Sequence, residues 1–293
     1  MAPSASPPAP PPHAWLVVGA TGRVGRMVMD HWRRNPPAGA LVHAQGRRPG
    51  ADLVWNPIEE PLPASAPRYT GLVVLAGAVP GSGIDFSFNA AIARACLAAA
   101  ERNGIARVLL ASSSAIYGAS GDGRAFREED DPAPASAYGR SKLAMEAACA
   151  GLSRPGREVS CLRIGNVAGA DALLINAAGA APERPLRIDR YGDGAGPRRS
   201  YIGPGAMARA LESLLRHAGA LPPVLNFAAP RPVEMSALAR AAGVPFVWNE
   251  GPPASPQAIT LDCARLSLYH RFRPGDCEPA SMIAEWKTHG VAA

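Results

Sequence analysis

Lysine is nearly missing from this chain: of its 30 Lys and Arg residues only Lys142 and Lys287 are lysine, and the other 28 are arginine. Aromatic residues are also scarce, at 6% of 293 residues, and the arginines are spread rather than clustered, so no nucleic-acid-binding surface emerges. The five cysteines (Cys96, Cys149, Cys161, Cys263 and Cys277) are odd in number, scattered, and form no C-x-x-C pair. That spacing excludes a disulfide framework and a zinc site, and predicts free thiols in a reducing cytoplasm with no metal bound. No apolar run reaches the roughly 18 residues that cross a bilayer, so no membrane span is expected. The opening MAPSASPPAPPP has neither a charged nor an apolar stretch, which excludes a signal peptide; residues 1–12 read as a disordered Pro-rich tail. The net charge of +6 is then best matched by an anionic small molecule, such as a phosphate-bearing cofactor.

What is present is an alternation of strand-like and helix-like segments. Short apolar runs at 14–20, 40–46, 71–78, 106–118 and 158–167 read as strands. Residues 22–34, 86–104 and 137–152 carry apolar positions at helical spacing. Such alternation predicts an α/β fold, a Rossmann-type doubly wound parallel sheet with a smaller C-terminal substrate-binding lobe. Residues 13–165 would form the domain built on this sheet. From 166 to 293 the Pro and Gly breaks multiply, and this stretch would be mainly the lobe, with some segments returning to the sheet.

GATGRVG puts Gly19, Gly22 and Gly25 directly after the first strand and at the start of the first helix. In that context the first glycine permits a tight turn, the second lets backbone approach a pyrophosphate, and the third lets helix and strand pack closely. Thr21, Arg23 and Val24 fall in the same loop. The second strand should end on the residue that reads the adenosine ribose, where a carboxylate favours NAD. Here Arg47 and Arg48 follow it, and no carboxylate comes before Asp52. Guanidinium forks suit a 2′-phosphate, so NADP is favoured over NAD, although two arginines at a strand end could also be merely solvated.

Tyr138 and Lys142 stand four residues apart on one predicted helix, hence on one face. A compact ammonium near a phenol stabilises its ionised form and makes it a usable acid/base. Ser112, Ser113 and Ser114 lie where the fourth strand ends, at the sheet edge where ligands bind; a serine there can donate to a carbonyl or alkoxide oxygen.

With these motifs the chain resembles the extended short-chain dehydrogenases/reductases, also called the NAD-dependent epimerase/dehydratase family. The matching stretches are VVGATGRVG, LAGA (75–78), FNAAIARA, ASSSAIYG, YGRSK, LRIGNVAG and RRSYI. The resemblance implies that Tyr138 is the catalytic acid/base, and that Lys142 lowers its pKa and holds the nicotinamide ribose. It selects Ser113 as the catalytic serine, with Ser114 as fallback, and Asn89 as the helix asparagine tied to structure and proton relay. Leu75, Ala76 and Gly77 would line the cofactor, and Asn56 takes roughly the place of a residue that contacts adenine. It also implies a possible homodimer through the helices at 88–102 and 138–152.

For the substrate, Asn166 matches an asparagine of the family's nucleotide-sugar enzymes, and Arg199 matches an arginine that meets the diphosphate. Ser200, Gly203 and Pro204 depart from that later pattern, a further arginine is missing, and Ser114 and Ala115 stand where dehydratases keep an acidic pair. Simple hydride transfer on a small carbonyl, alcohol or sugar-like substrate is therefore the leading expectation. A nucleotide-sugar epimerase or reductase comes next, and a non-catalytic NADP sensor last.

Overall fold

The computed structural model describes residues 13–81, 83–119, 123–250, 253 and 256–290, so the proposed N-terminal tail lies outside the described residues. Six strands follow one another in the first part of the chain: β1 (His13–Val18), β2 (Ala40–Gly46), β3 (Leu53–Val54), β4 (Gly71–Val74), β5 (Arg107–Ser113) and β6 (Glu158–Ile164). Between them run the helices α1 (Arg23–Arg34), α2 (Phe88–Arg102) and α3 (Ala137–Cys149). In the later part come β7 (Asn166–Val167), β8 (Leu186–Asp189), β9 (Arg198–Arg199), β10 (Tyr201–Ile202), β11 (Val224–Phe227), β12 (Val233–Glu234), β13 (Phe246–Asn249) and β14 (Ala258–Ile259). These are accompanied by α4 (Ala172–Ala177), α5 (Pro204–Arg216), α6 (Met235–Ala242) and α7 (Pro279–His289).

Seven strands pair into one sheet in the order β11-β6-β5-β4-β1-β2-β3, every pairing parallel. The sheet is Rossmann-like, doubly wound and covered by helices on both faces. Successive side chains of β1 point to opposite faces, as a strand requires. Trp15 and Val17 pack with Met27 and Trp32 of α1 and Leu211 of α5, while Leu16 and Val18 pack with Leu97 of α2 and Met145 of α3. β4 and residues 15–18 of β1 are buried from both sides and read as continuous apolar runs, whereas β2 is partly exposed and carries His43 and Gln45. Two sheet strands are additional to the five read from periodicity. β3 is two residues long, and β11 returns from within the C-terminal part of the chain to pair with β6. The run at 158–167 also divides: after β6, residues Asn166–Val167 leave the sheet to pair with β10.

Candidate active site

The carboxyl ends of β1, β4, β5 and β6 open on a cleft of about 540 Å³, within the range of small-molecule sites. Its first wall is backbone. Gly19 holds φ +85°, and a Cβ on it would lie 2.4 Å from Ala76 N. A Cβ on Gly25 would lie 2.2 Å from Gly19 O, so α1 can rest on the loop only as glycine. Gly22 is the N-cap of α1 and supplies no side chain to the helix's first turn. The free N–H groups and the helix dipole there suit a phosphate, and this cradle fits the pyrophosphate of a dinucleotide. Gln45 holds the loop from behind: its Oε1 accepts from Gly19 N at 3.2 Å, and its Nε2 donates to Trp55 O.

The second wall is made of side chains. Ser136 caps α3 by accepting from Gly139 N at 3.0 Å, so the helix begins just where Tyr138 must enter the cleft. Burial pushes the Tyr138 phenol above its usual pKa, and a hydrogen bond from the Ser113 side chain acts in the opposite direction. The Lys142 ammonium lies 5.9 Å from the Tyr138 ring centre and donates to Ala111 O at 2.7 Å. Burial lowers its pKa from 10.5 to about 8, against the smaller opposing influences of Cys161 and Glu146. Phe86 packs over Tyr138 with ring centres 5.9 Å apart.

Of the residues singled out in the sequence, Gly19, Gly22, Arg23, Val24, Gly25, Leu75, Gly77, Ser113, Tyr138, Lys142 and Asn166 line this one cleft. Thr21 and Ala76 are adjacent: Thr21 is in the loop, and Ala76 is the backbone against which Gly19 closes. Asn89 is fully buried behind the lining. Its Oδ1 accepts from Ala78 N at 2.8 Å and its Nδ2 donates to Ser141 Oγ at 2.9 Å, so it joins the β4 loop to α2 and α3. Arg47 and Arg48 are exposed just past β2 and make no ion pair among the described residues. Asp52 accepts from Ala44 N.

Neither Arg47 nor Arg48 lines the cleft, and three further residues are not brought in. Asn56 closes a local turn, its N–H donating to Glu60 Oε1 and its Oδ1 accepting from Ile58 N. Ser114 starts a 3₁₀ turn behind Ser113. Arg199 turns toward β14, its Nη1 donating to Gln257 O at 2.9 Å and to Arg198 O.

Sequence reasoning missed two groups. Asp171 lines the cleft as N-cap of α4, accepting from the N–H groups of Leu173 and Leu174 and from the Tyr201 hydroxyl at 3.0 Å. Behind Lys142, Glu146 and Arg163 form a buried pair at 2.9 Å. Ser112 Oγ donates to Glu146, and Arg163 donates to Tyr117 OH, which donates to Asn226 Oδ1. A signal for Glu146 was available: Tyr138, Lys142 and Glu146 repeat at intervals of four. Among the described residues no cluster of three His, Cys, Asp or Glu is placed to hold a metal, and no helix is long and apolar enough to cross a membrane.

A family model described as the NAD dependent epimerase/dehydratase family matches residues 64–227, more than half of the chain. The match begins after the glycine loop. No curated protein matches the sequence. Among solved structures, the UDP-Glc/GlcNAc 4-epimerase of Campylobacter jejuni superposes with a TM-score of 0.74 at 16% identity, covering 94% of this chain and 99% of that one. TunA, an NAD-dependent NDP-hexosamine 5,6-dehydratase of tunicamycin biosynthesis, gives 0.72 at 19% identity, covering 94% and 98%. MoeE5, in complex with UDP-glucuronic acid and NAD, gives 0.68 at 23% identity, covering 94% and 98%. At these identities the likeness is one of fold.

Proposed function

The chain belongs to the NAD-dependent epimerase/dehydratase family, and within it we propose an NAD(P)-dependent oxidoreductase that interconverts a carbonyl and its alcohol. The observation that carries this reading is the meeting of Ser113, Tyr138 and Lys142 with the glycine loop in one cleft. A bound nicotinamide cofactor supplies or takes up the hydride. In the reducing direction the hydride makes the new C–H bond, and the Tyr138 phenol gives its proton to the carbonyl oxygen, which becomes the hydroxyl. Burial keeps that phenol protonated, the form this direction needs. Ser113 donates to the oxygen as negative charge gathers on it. Lys142 stands below the phenol as the cation that stabilises the phenolate left behind, and would hold the nicotinamide ribose. Asn89 keeps the β4 loop and α3 in register.

NADP is the favoured cofactor. Arg47 and Arg48 are exposed at the end of β2, and the nearest following carboxylate, Asp52, is occupied by the Ala44 N–H. All five cysteines are free thiols, which accords with a reducing cytoplasm. A homodimer through α2 and α3 belongs to the same reading.

The test is to identify the nucleotide that co-purifies, to compare NADPH with NADH binding, and to assay Tyr138→Phe. Tyr138→Phe should retain cofactor affinity and lose about 10²–10⁴-fold in turnover, the usual share of a positioned acid/base. Arg47→Ala/Arg48→Ala should remove a preference for NADPH and leave NADH binding near its starting value. Full turnover by Tyr138→Phe would overturn the mechanism, and a wild-type preference for NADH would overturn the cofactor assignment.

A further inference from the structure

The walls of the cleft beyond the cofactor cradle carry a second message, about charge. Arg23 and Lys142 are the Lys and Arg side chains that line the cleft. Arg23 opens α1 in the phosphate loop, and Lys142 is tethered to Ala111 O beneath Tyr138. The wall formed by residues 164–175 adds no cation. Its ionisable side chain is Asp171, a carboxylate 8% exposed and fixed by three backbone N–H groups, of Gly169, Leu173 and Leu174, and by the Tyr201 hydroxyl. Arg199, the nearest candidate for a diphosphate, donates to backbone carbonyls on the side of β14.

Asn166 is the neutral polar side chain of that wall, Ser112, Ser113 and Tyr138 lie across the cleft, and much of the remaining lining is apolar. Val79 and Ile175 line the cleft and are 62% and 37% exposed, unusually open for such side chains. Pro80 and Ala170 extend the same lining, and Ile84, 43% exposed, follows on the segment that leads to Phe86 over Tyr138.

We infer that the substrate is a compact, uncharged carbonyl compound or secondary alcohol with an apolar body, and that Asp171 excludes nucleotide-diphosphate sugars. A diphosphate brings two negative charges, which in a partly dehydrated cleft require cations; this wall offers the neutral Asn166, a fixed carboxylate and hydrocarbon instead. The inference rests on the hydride-transfer reading and narrows its substrate.

The experiment uses the full chain loaded with NADPH, first shown to bind by its melting shift. Turnover and thermal protection are measured with cyclohexanone, acetophenone and a series of 2-alkanones, and with UDP and UDP-glucose. Saturation by the ketones is expected, with KM falling by roughly fourfold for each added methylene that reaches the apolar rim. UDP-glucose should neither protect nor compete at about 1 mM, the upper end of ordinary KM values. Asp171→Asn keeps an oxygen to cap α4 and loses the charge; it should raise UDP-glucose affinity by about tenfold, its folding being checked by the NADPH melting shift. Submillimolar UDP-glucose binding by the wild-type protein would overturn the inference, as would failure of every ketone to bind an enzyme that binds NADPH. No gain in Asp171→Asn would overturn the role of Asp171. Loss of the hydride-transfer reading itself shows differently, as absence of binding of both NADPH and NADH or as full ketone turnover by Tyr138→Phe.

Discussion

The nucleotide-side wall of the cleft is backbone, whereas the wall that carries Ser113, Tyr138 and Lys142 is side chain, and the two are held in place by different forces. Gly19 and Gly25 make their wall by having no Cβ: helix α1, strand β1 and the β4 loop close to distances that a side chain at either position would forbid. The opposite wall needs partners. Lys142 is buried on the face of α3 that also carries Glu146, and Glu146 is neutralised by Arg163 from β6. Steric permission fixes one wall and long-range electrostatic compensation the other, so each should fail in its own way.

Breaking the compensation has the largest expected effect. Glu146→Ala leaves the Arg163 guanidinium, with a side chain 6% exposed, without its counter-charge. Losing one partner of a buried pair costs about 3–5 kcal/mol. Urea denaturation should show that loss, with turnover falling in parallel as α3 loosens. A loss under about 1 kcal/mol would mean that the network is hydrated and does not hold this wall. The backbone wall is tested by Gly25→Ala, whose Cβ would meet Gly19 O at 2.2 Å. Relief requires α1 to move away from the loop, at a cost of about 3 kcal/mol, the upper part of the overpacking range. Cofactor affinity should fall further than stability does, because the displaced helix carries the phosphate cradle. Equal cofactor affinity for wild type and variant would refute the close approach.

The same contrast explains what was legible in the sequence. The glycine loop and the Tyr138–Lys142 spacing are local patterns, and seven consecutive residues or one helix turn contain all the information. The apolar runs of β1, β4 and β5 are readable for a similar reason, since burial makes each a short block, while β2 and β6 keep polar residues inside theirs. β11 was not legible as a sheet strand, because its partner β6 ends sixty residues earlier in the chain and only the fold brings them together. Arg199 shows the opposite failure. Its sequence neighbourhood resembles a diphosphate contact, but β9 pairs with both β12 and β14, and its guanidinium turns to the Gln257 carbonyl. Asp171 was missed because a helix N-cap gives no sign in sequence that it also faces a ligand.

The smallest expected effect, and the most specific to the side-chain wall, concerns the cost of keeping Lys142 charged. Burial lowers its pKa from 10.5 to about 8, so between those values the unfolded chain holds a proton that the folded protein has released. Stability therefore rises with pH across that window, and below about 8 the folded state carries the penalty of a buried ammonium. Lys142→Met removes that penalty and also removes the hydrogen bond to Ala111 O, worth about 1 kcal/mol. At pH 7 the variant should match or exceed the wild type in stability, by about 1–2 kcal/mol, while losing turnover. As pH rises above 8 the difference between the two melting curves should shrink. The backbone wall has no such dependence: Gly25→Ala should lie below the wild type by the same margin at every pH in the window. A difference between wild type and Lys142→Met that stays constant with pH would mean that the ammonium is solvated and that this wall, too, is fixed by sterics alone.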